Sequence, residues 1–333
     1  MSKAQGRVCV VGSVNMDAVI RVPRFPRSGE TILGGPFQLV PGGKGANQAV
    51  AAAKLGSRVS LVARVGDDAF GAQLVAGLKG YGVDISQVKV TPGLATGMAV
   101  VMVERSGLNA IAVASGANQT LSPEDVQEAR EVIATSGVVL AQLEVALETV
   151  ARAAALARAS GVTVILNPAP AQPLPQQLLR HTSIIVPNEV EAEALTGISA
   201  QSVSGAERAG KQLLQMGPQT VIITLGEKGA LLLQKGEARY FPAHPVEPVD
   251  TTACGDAFCG ALAASLASSC SIEEAVLRAN AAGALTATRV GAQPSLPSLE
   301  MLEEFLVARG SPEPANKVKS PDERASRERQ ERR

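Results

Sequence analysis

The run Val138-Val139-Leu140-Ala141-Gln142-Leu143 has the length and the apolar character of a buried β-strand. The Ala- and Leu-rich segment from Leu147 to Ala159 follows it and has the length of a helix. A second β-branched run, Val162-Thr163-Val164-Ile165-Leu166, completes a strand–helix–strand unit. Such units place parallel strands in one sheet and pack the connecting helices on its faces.

The same alternation extends through most of the chain. Further strands are predicted at Val8 to Val11, Val59 to Val65, Ile184 to Val186 and Val221 to Leu225. Further helices are predicted at Gly45 to Leu55, Ala69 to Lys79 and Gly205 to Met216, and another should begin at Ser122-Pro123. We therefore predict an α/β fold with a mostly parallel sheet and helices on both faces.

Two regions, at about 14–40 and 96–114, do not fit this sheet. Both are short alternating runs interrupted by turns, the second at Arg105-Ser106-Gly107-Leu108, and this pattern indicates hairpins. We expect them to form a small separate β-sheet, a lid over the edge where the parallel strands end. Beyond Arg309 the sequence is rich in Pro, Ser and charged residues. This composition predicts one folded domain at 7–309 and a disordered tail at 310–333.

Composition argues against several classes of partner. The 333 residues have a formal net charge of +0 and only 2% aromatic residues, which disfavours nucleic acid and anionic membrane surfaces. No apolar run approaches the roughly 20 residues that span a bilayer. The four cysteines form no CxxC pair, and the beginning of the chain lacks a signal-peptide pattern. We expect a soluble, intracellular protein in the cytoplasm.

Polar residues collect where the predicted parallel strands end, which is where open α/β sheets bind ligands. They are Asn15 and Asp17, the loop Pro41 to Asn47, Glu144, Asn188 with Glu191, and the segment Thr224 to Gly229.

Gly42-Gly43-Lys44-Gly45 is not a phosphate-binding P-loop, because it lacks the Gly-x-x-x-x-Gly-Lys-Ser/Thr spacing. Gly12-Ser13-Val14-Asn15 likewise lacks the dinucleotide fingerprint. The glycine loop allows a ligand to approach the backbone closely, with Lys44 and Asn47 as hydrogen-bond donors. The alternative is a tight turn with a solvated lysine.

The segment Asp250-Thr251-Thr252-Ala253-Cys254-Gly255-Asp256-Ala257-Phe258 is the most informative for chemistry. Its small residues precede a predicted helix, so converging backbone N–H groups and the positive end of the helix form an anion hole. Asp256 is then placed to accept a proton from a hydroxyl that attacks a phosphoryl group. The alternative is that Asp256 only caps the helix.

These motifs together resemble the ribokinase family of carbohydrate kinases. The specific ones are Gly42-Gly43-Lys44-Gly45-Ala46-Asn47-Gln48-Ala49 and Asp250 to Phe258, and the similarity runs from about Arg7 to Arg309. The resemblance implies a ribokinase-like fold and transfer of the ATP γ-phosphate to the 5-hydroxyl of ribose. It also implies Mg²⁺, an activating K⁺ and a homodimer formed through the lid strands.

The resemblance assigns residues to each part of the site. Asp256 would be the base, and the backbone of Ala253, Cys254, Gly255 and Asp256 would form the anion hole. The sugar would contact Asn15, Met16, Asp17, Gly43, Lys44, Gly45, Ala46, Asn47, Glu144 and Asp256. The nucleotide would contact Asn188, Glu191, Thr224, Leu225, Gly226, Glu227, Lys228, Gly229, Gly255, Asp256 and Asn280, with Mg²⁺ near Asn188 and Glu191. K⁺ would lie at Asp250, Thr252, Thr286, Arg289, Gly291 and Ser295.

Alternatives remain at this stage. Deoxyribose, fructose or a nucleoside could replace ribose, although the shortage of aromatic residues disfavours a nucleobase slot. A non-catalytic sugar- or nucleotide-binding protein, or a nucleotide-linked oxidoreductase, could share the scaffold. Cys254 departs from the Gly or Ala usual in the family. One hypothesis is that the helix start lowers its pKa and makes it sensitive to oxidation, and the other is that it only fills space.

Overall fold

The computed structural model describes residues 6–104 and 108–309. The tail predicted at 310–333 and most of the turn predicted at Arg105 to Leu108 lie outside these residues.

The described residues form an α/β structure with two sheets. The strands are β1 (Arg7–Val11), β2 (Asn15–Val22), β3 (Phe37–Gly42), β4 (Arg58–Gly66), β5 (Asp84–Thr91), β6 (Gly97–Glu104), β7 (Asn109–Ala114), β8 (Val138–Ala141), β9 (Thr163–Leu166), β10 (Ile184–Ile185), β11 (Thr220–Thr224), β12 (Gly229–Gln234) and β13 (Glu237–Pro242). The helices are α1 (Lys44–Lys54), α2 (Ala69–Gly80), α3 (Pro123–Glu128), α4 (Arg130–Thr135), α5 (Leu147–Ala159), α6 (Gln176–His181), α7 (Glu189–Thr196), α8 (Val203–Gln215), α9 (Cys254–Ala267), α10 (Ile272–Ala287) and α11 (Leu299–Arg309).

The large sheet has nine strands in the order β13-β12-β11-β10-β9-β8-β1-β4-β5. The strands from β11 to β5 pair in parallel, and β12 and β13 extend the sheet as an antiparallel hairpin. Alternate residues of β1 enter two cores, Val8 and Val10 on one face and Cys9 and Val11 on the other. The predicted α/β architecture with helices on both faces is therefore confirmed.

The structure adds elements that the sequence patterns did not indicate. Strand β5 forms one edge of the large sheet, and the β12–β13 hairpin forms the other. All eight residues of β5 are exposed or half-buried, and its sequence carries no continuous apolar run. Among the helices of the described residues, none is both long and apolar enough to cross a bilayer.

The small sheet has the order β3-β2-β6-β7. It consists of two antiparallel pairs, β2–β3 and β6–β7, which are joined through a parallel pairing of β2 with β6. The two predicted hairpins thus form one layer, and Ala18 and Val100 are opposite each other at its centre.

The junction between the two sheets is built around Asn118. Its side-chain amide accepts a hydrogen bond from Val14 N at 2.9 Å and donates to Val14 O at 3.2 Å and to Asn15 Oδ1 at 2.6 Å. A Cβ on Gly97 would lie 2.2 Å from both Asn118 Nδ2 and Asn15 Oδ1. Glycine at the start of β6 therefore leaves room for the Asn15 and Asn118 side chains where the chain passes between the two sheets.

Candidate active site

Helix α9 begins with an unusual backbone conformation. Ala253 precedes the helix with φ 60° and ψ 10°, in the left-handed region that non-glycine residues seldom adopt. A Cβ on Gly255 would meet no atom within 4 Å, so the backbone in the first turn of α9 borders open space. The amide of Cys254 also donates to the carbonyl of Thr251 at 3.3 Å. The geometry is that of an anion site at a helix start.

Asp256 lies in the first turn of α9, but its carboxylate does not cap the helix. It points toward α1 and accepts hydrogen bonds from Asn47 Nδ2 at 2.9 Å and from Gln48 Nε2 at 3.0 Å. Burial raises the pKa of Asp256, while Lys44 and the two amide donors oppose that rise. The side chain is 6% exposed. Hence the capping interpretation is wrong, and a buried carboxylate is available as a base.

Asp17 of β2 and Asn47 of α1 bring side chains toward Asp256, and Asn15 lies at the start of β2. Asp17 Oδ1 and Asn47 Oδ1 are buried and have no hydrogen-bond partner within the described part of the chain. Burial, followed by the charges of Glu144 and Asp256, raises the pKa of Asp17 to about 7. Buried oxygens without partners are costly, so a ligand with several hydroxyl groups suits this pocket.

Glu144 and Lys44 meet at the start of α1. The Glu144 carboxylate accepts hydrogen bonds from Ser13 Oγ at 2.5 Å and from Lys44 N at 3.0 Å. Burial alone would lower the pKa of Lys44, but the charges of Asp256 and Glu144 raise it, and the amine stays protonated. Gly43, with φ 88°, leaves no room for a side chain beside Asn15 N, 2.7 Å from its ideal Cβ. These contacts hold the glycine loop closely against the start of β2.

The other residues assigned to the sugar have smaller roles in shaping the pocket. Met16, Gly45 and Ala46 are buried. A Cβ on Gly45 would lie 2.5 Å from Ser13 N, so α1 can approach this loop only with glycine there.

The structure brings some, but not all, of the residues expected at the nucleotide into contact with one another. Asn188 and Thr224 form a parallel β-bridge, and Leu225 N donates to Gly229 O at 2.7 Å. Asn188 also caps α7, where Glu191 Oε2 accepts from Asn188 N at 2.9 Å, and burial raises the pKa of Glu191. Gly226, Glu227 and Lys228 form an exposed 3₁₀ turn after β11.

Asn280 and Lys228 are held by contacts of their own. Asn280 Nδ2 donates to Phe241 O at 3.3 Å from within α10. Lys228 Nζ donates to Gln201 O at 2.9 Å.

The two loops expected at a monovalent cation lie against each other. The Asp250 carboxylate accepts hydrogen bonds from Thr252 N and Gly291 N, both at 2.9 Å. The hydroxyls of Thr286 and Ser295 donate to the carbonyls of Ala282 and Ala292 at 2.9 and 2.7 Å. Arg289 is exposed at the rim. Within the described residues there is no cluster of three or more His, Cys, Asp or Glu suited to a metal ion.

The hypothesis of an activated Cys254 thiol is wrong. Burial, followed by the charges of Asp250 and Asp256, raises its pKa to about 12, and a backbone hydrogen bond only partly opposes this rise. The protonated thiol is a poor nucleophile.

Several polar residues of this region gave no signal on their own in the sequence. Gln48 lay within the quoted glycine motif without a role, and Ser13 and Asn118 each bind a residue expected at the sugar. Gln142 and Asn167 follow β8 and β9 and reach Gln48. Asn167, directly after a predicted strand, and Gln142, a polar residue inside the apolar run predicted from Val138 to Leu143, were the available signals.

Comparison with known proteins gives concordant matches. A family model described as pfkB family carbohydrate kinase matches residues 5–299. A ribokinase of Haemophilus influenzae is 42% identical over 297 residues, covering 89% of this chain and 97% of that protein. A deoxyribokinase of Salmonella typhi is 38% identical over 90% of this chain and 98% of its own length. The structure of Arabidopsis thaliana ribokinase complexed with ribose and ATP has a TM-score of 0.83 at 34% identity, covering 91% of this chain and 99% of that one.

Proposed function

Because the chain belongs to the pfkB family of carbohydrate kinases, we propose that it transfers the γ-phosphate of ATP to the 5-hydroxyl of D-ribose. The observation that carries this proposal is the buried Asp256 carboxylate, which lies at the start of α9 beside the unpartnered oxygens of Asp17 and Asn47. The proposed kinase domain spans 7–309.

Asp256 accepts the proton of the sugar hydroxyl as that oxygen attacks the γ-phosphorus. The new P–O bond forms while the bond from the γ-phosphorus to the bridging oxygen breaks, and ADP leaves with that electron pair. The backbone N–H groups of Ala253, Gly255 and Asp256 stabilise the charge of the transferring group, while the Cys254 N–H holds the turn through its bond to Thr251 O.

The sugar lies between the two sheets. Asp17, Glu144 and the side-chain oxygen of Asn47 accept hydrogen bonds from its hydroxyls, while Asn15 and Lys44 supply donors. The close-packed backbone of Gly43, Gly45 and Ala46 and the buried Met16 shape the floor of this pocket.

ATP lies along the ends of β10 and β11. The β-bridge between Asn188 and Thr224 aligns the adjoining segment, and the exposed turn from Gly226 to Lys228, between the buried Leu225 and Gly229, leaves space for a ligand. Asn280 and Gly255 complete the nucleotide site. The proposed sugar site and the proposed ATP site thus meet at the beginning of α9.

Two cations fit this arrangement. Mg²⁺ neutralises phosphate charge when bound, and Glu191, which keeps one carboxylate oxygen free of the capping contact in α7, would face it with Asn188. K⁺ would bind oxygen atoms of the loops around Asp250, Thr252, Thr286, Arg289, Gly291 and Ser295. The Asp250 contacts to Thr252 N and Gly291 N, which tie these loops together, support that assignment.

The small sheet supports a homodimer. Register places Ala18, Leu39, Val100 and Ala112 in one row, and Ile20, Phe37, Met102 and Ala110 in the next row on the same face. Every residue in these rows is apolar, yet Phe37 is 60% exposed and Val100 43%. A second copy of the chain would cover this face, with each small sheet remaining a lid over its own sugar site.

We assign the reaction to the cytoplasm. The cysteines Cys9, Cys254, Cys259 and Cys270 are all free thiols, as is usual in a reducing compartment.

Deoxyribose is the second candidate acceptor, because the Salmonella typhi relative is a deoxyribokinase. The test is ATP-dependent phosphorylation of ribose, deoxyribose and fructose, with K⁺ present or replaced by a larger organic cation. We expect the highest kcat/KM with ribose and stimulation by K⁺. Preference for deoxyribose would overturn the choice of sugar, and no turnover of any sugar would overturn the activity.

A further inference from the structure

Buried side-chain amides form a hydrogen-bonded chain behind Asp256. Gln48 Nε2 donates to Asp256 Oδ1 at 3.0 Å and to Asn167 Oδ1 at 3.1 Å. Gln142 Nε2 donates to Gln48 Oε1 at 2.5 Å. Gln48 and Gln142 are fully buried, and Asn167 is 9% exposed. These residues come from α1 and from the ends of β8 and β9, so the chain joins the sheet to the proposed base.

One backbone carbonyl fixes the direction of every amide in the chain. Asn167 Nδ2 donates to Val186 O at 3.0 Å, and a carbonyl can only accept. The oxygen of Asn167 must therefore face Gln48, whose NH₂ group then points at both Asn167 and Asp256. The oxygen of Gln48 is left for the NH₂ group of Gln142. Flipping Gln48 would bring oxygens against oxygens at Asp256 and Asn167.

Space for this chain is built into the backbone. A Cβ on Gly12 would lie 2.0 Å from Gln142 Oε1, so glycine at the end of β1 leaves room for the Gln142 amide. Gln142 Oε1 is buried without a hydrogen-bond partner among the described residues, so the chain keeps one direction at the cost of an unsatisfied oxygen at its far end.

We propose that Gln48, oriented by Asn167 and Gln142, is a positioning residue that holds the Asp256 carboxylate in its reactive orientation and keeps it ionised. Gln48 donates to one carboxylate oxygen and Asn47 to the other, so the plane of the group is fixed from both sides. The inference rests on the proposed function, in which Asp256 is the base.

The charges around Asp256 make such donors necessary. Burial opposes ionisation, and only Lys44 among the titratable groups facing Asp256 favours it. The others are Asp17, Glu144, Glu191, Cys254 and Cys259. Replacing Gln48 by methionine preserves the side-chain length but removes the donor to Asp256. Protonated Asp256 cannot act as a base, so the loss must appear in the pH profile.

The experiment compares the wild type with Gln48→Met and Gln142→Met. In Gln48→Met we expect kcat at neutral pH to fall about tenfold and the acid limb of the kcat profile to rise by about one pH unit. The sugar KM should change less than kcat. Gln142→Met keeps the donor from Gln48 to Asp256 but removes the hydrogen bond that Gln48 Oε1 accepts. The acid limb of the kcat profile of Gln142→Met should therefore also rise, but by less than in Gln48→Met.

A second readout does not depend on turnover. The pKa of Asp256 is followed by ¹³C NMR of aspartate-labelled protein, with Asp256→Asn identifying the signal. The matched control is Gln234→Met, because Gln234 donates to Thr220 at the opposite edge of the sheet. It should leave both the kinetic profile and the Asp256 titration unchanged.

A purely structural role would lower the unfolding temperature of Gln48→Met without moving either pH titration, and that result would overturn the proposal. If Gln48→Met does not fold, an unchanged titration in Gln142→Met has the same meaning. A wild type that phosphorylates no sugar would instead refute the proposed function, while the NMR titration would still decide the role of Gln48.

Discussion

The pocket around Asp256 and the small sheet contrast in how completely their side chains are covered. Asp256 and Gln48 lie within the core of the large sheet, with exposures of 6% and 0%. On the small sheet, Phe37 and Leu39 are 60% and 41% exposed although both are apolar. The core therefore holds the Asp256 carboxylate in a fixed geometry before any ligand binds. The small sheet, in contrast, has an exposed apolar face that a partner would cover.

The close packing of α1 against α9 explains the first half of this contrast. A Cβ on Gly260 would lie 2.5 Å from Ala51 Cβ and 2.8 Å from Gln48 O. Glycine in the middle of α9 therefore permits a separation of the helices at which Asn47 and Gln48 reach the Asp256 carboxylate. Helices that cross at this distance leave no room for the pocket to rearrange.

The largest expected effect tests the buried side of the contrast. Asp256→Asn should lower kcat by about 10²- to 10⁴-fold, because the amide cannot accept the hydroxyl proton. The measurement is steady-state phosphorylation of ribose, with Asp84→Asn as a control that makes the same change near the surface, where Asp84 pairs with Ser60. Turnover by Asp256→Asn close to that of the wild type would remove Asp256 as the base.

A smaller effect is expected at Asp17, which lies where the two regions meet. Its carboxyl has a pKa of about 7, and ionised oxygens bind sugar hydroxyls more strongly. The sugar KM should therefore rise as the pH falls through 7. Asp17→Asn should raise KM by about 10- to 100-fold at pH 8 and abolish this dependence. A pH-independent KM in the wild type would contradict the prediction.

The same raised pKa has a consequence for stability. The unfolded chain loses the Asp17 proton near its ordinary pKa of 3.8, whereas the folded chain keeps it until about 7. The contribution of Asp17 is therefore favourable below the lower value and is lost as the pH rises toward 7. Denaturant unfolding at several pH values should show a shallower decline over this range in Asp17→Asn than in the wild type.

The exposed side of the contrast is tested by Val100→Glu on the apolar face of the small sheet. A two-fold dimer would bury two such charges, so the variant should be monomeric in sedimentation experiments. Val307→Glu is the control, because Val307 is 85% exposed on α11. We expect Val100→Glu to lose less of its kcat than Asp256→Asn does. A Val100→Glu dimer, or a monomeric wild type, would show that a second copy does not cover this face.

The smallest effect is expected at Cys254, inside the anion site. At a pKa of about 12, only about one part in 10⁵ of the thiol is ionised at neutral pH. Mild peroxide should therefore leave the wild type and Cys254→Ala equally active. Selective inactivation of the wild type, reversed by a reductant, would indicate a more reactive thiol than the structure supports.

Local pattern was sufficient for much of the fold. Apart from their first residues Arg7 and Thr163, strands β1, β8 and β9 are apolar because both faces of the large sheet are covered, and such runs are visible in sequence. Strand β5 is an edge strand in which the consecutive polar residues Ser86 and Gln87 interrupt the alternation of polar and apolar residues, so its pairing with β4 decides its structure. Local propensity does not report such distant pairing.

The residues of the candidate site likewise fall into those that a local motif reveals and those that only the fold reveals. Residues in glycine-rich or helix-start motifs, such as Lys44 and Asp256, are recognisable because a short segment carries both backbone geometry and chemistry. Gln48 contacts Asp256 across 208 positions, and its role depends on which residues the fold brings near it. The Cys254 hypothesis failed for the same reason. The helix start was visible in the sequence, but the burial and the neighbouring carboxylates that raise the pKa were not.

A small sheet that turned as one body about the junction at Asn118 would act as a lever. Asn118 joins the start of β2 to the end of the small sheet, so a rotation about this point would displace residues in proportion to their distance from it. At about 3.3 Å per residue, Val22 lies roughly 23 Å along β2 from Asn15, and Asp17 roughly 7 Å. A turn of about 10° would thus move the tip by roughly 4 Å but Asp17 by only about 1 Å. The entrance could then open widely while the sugar contacts stay almost in place.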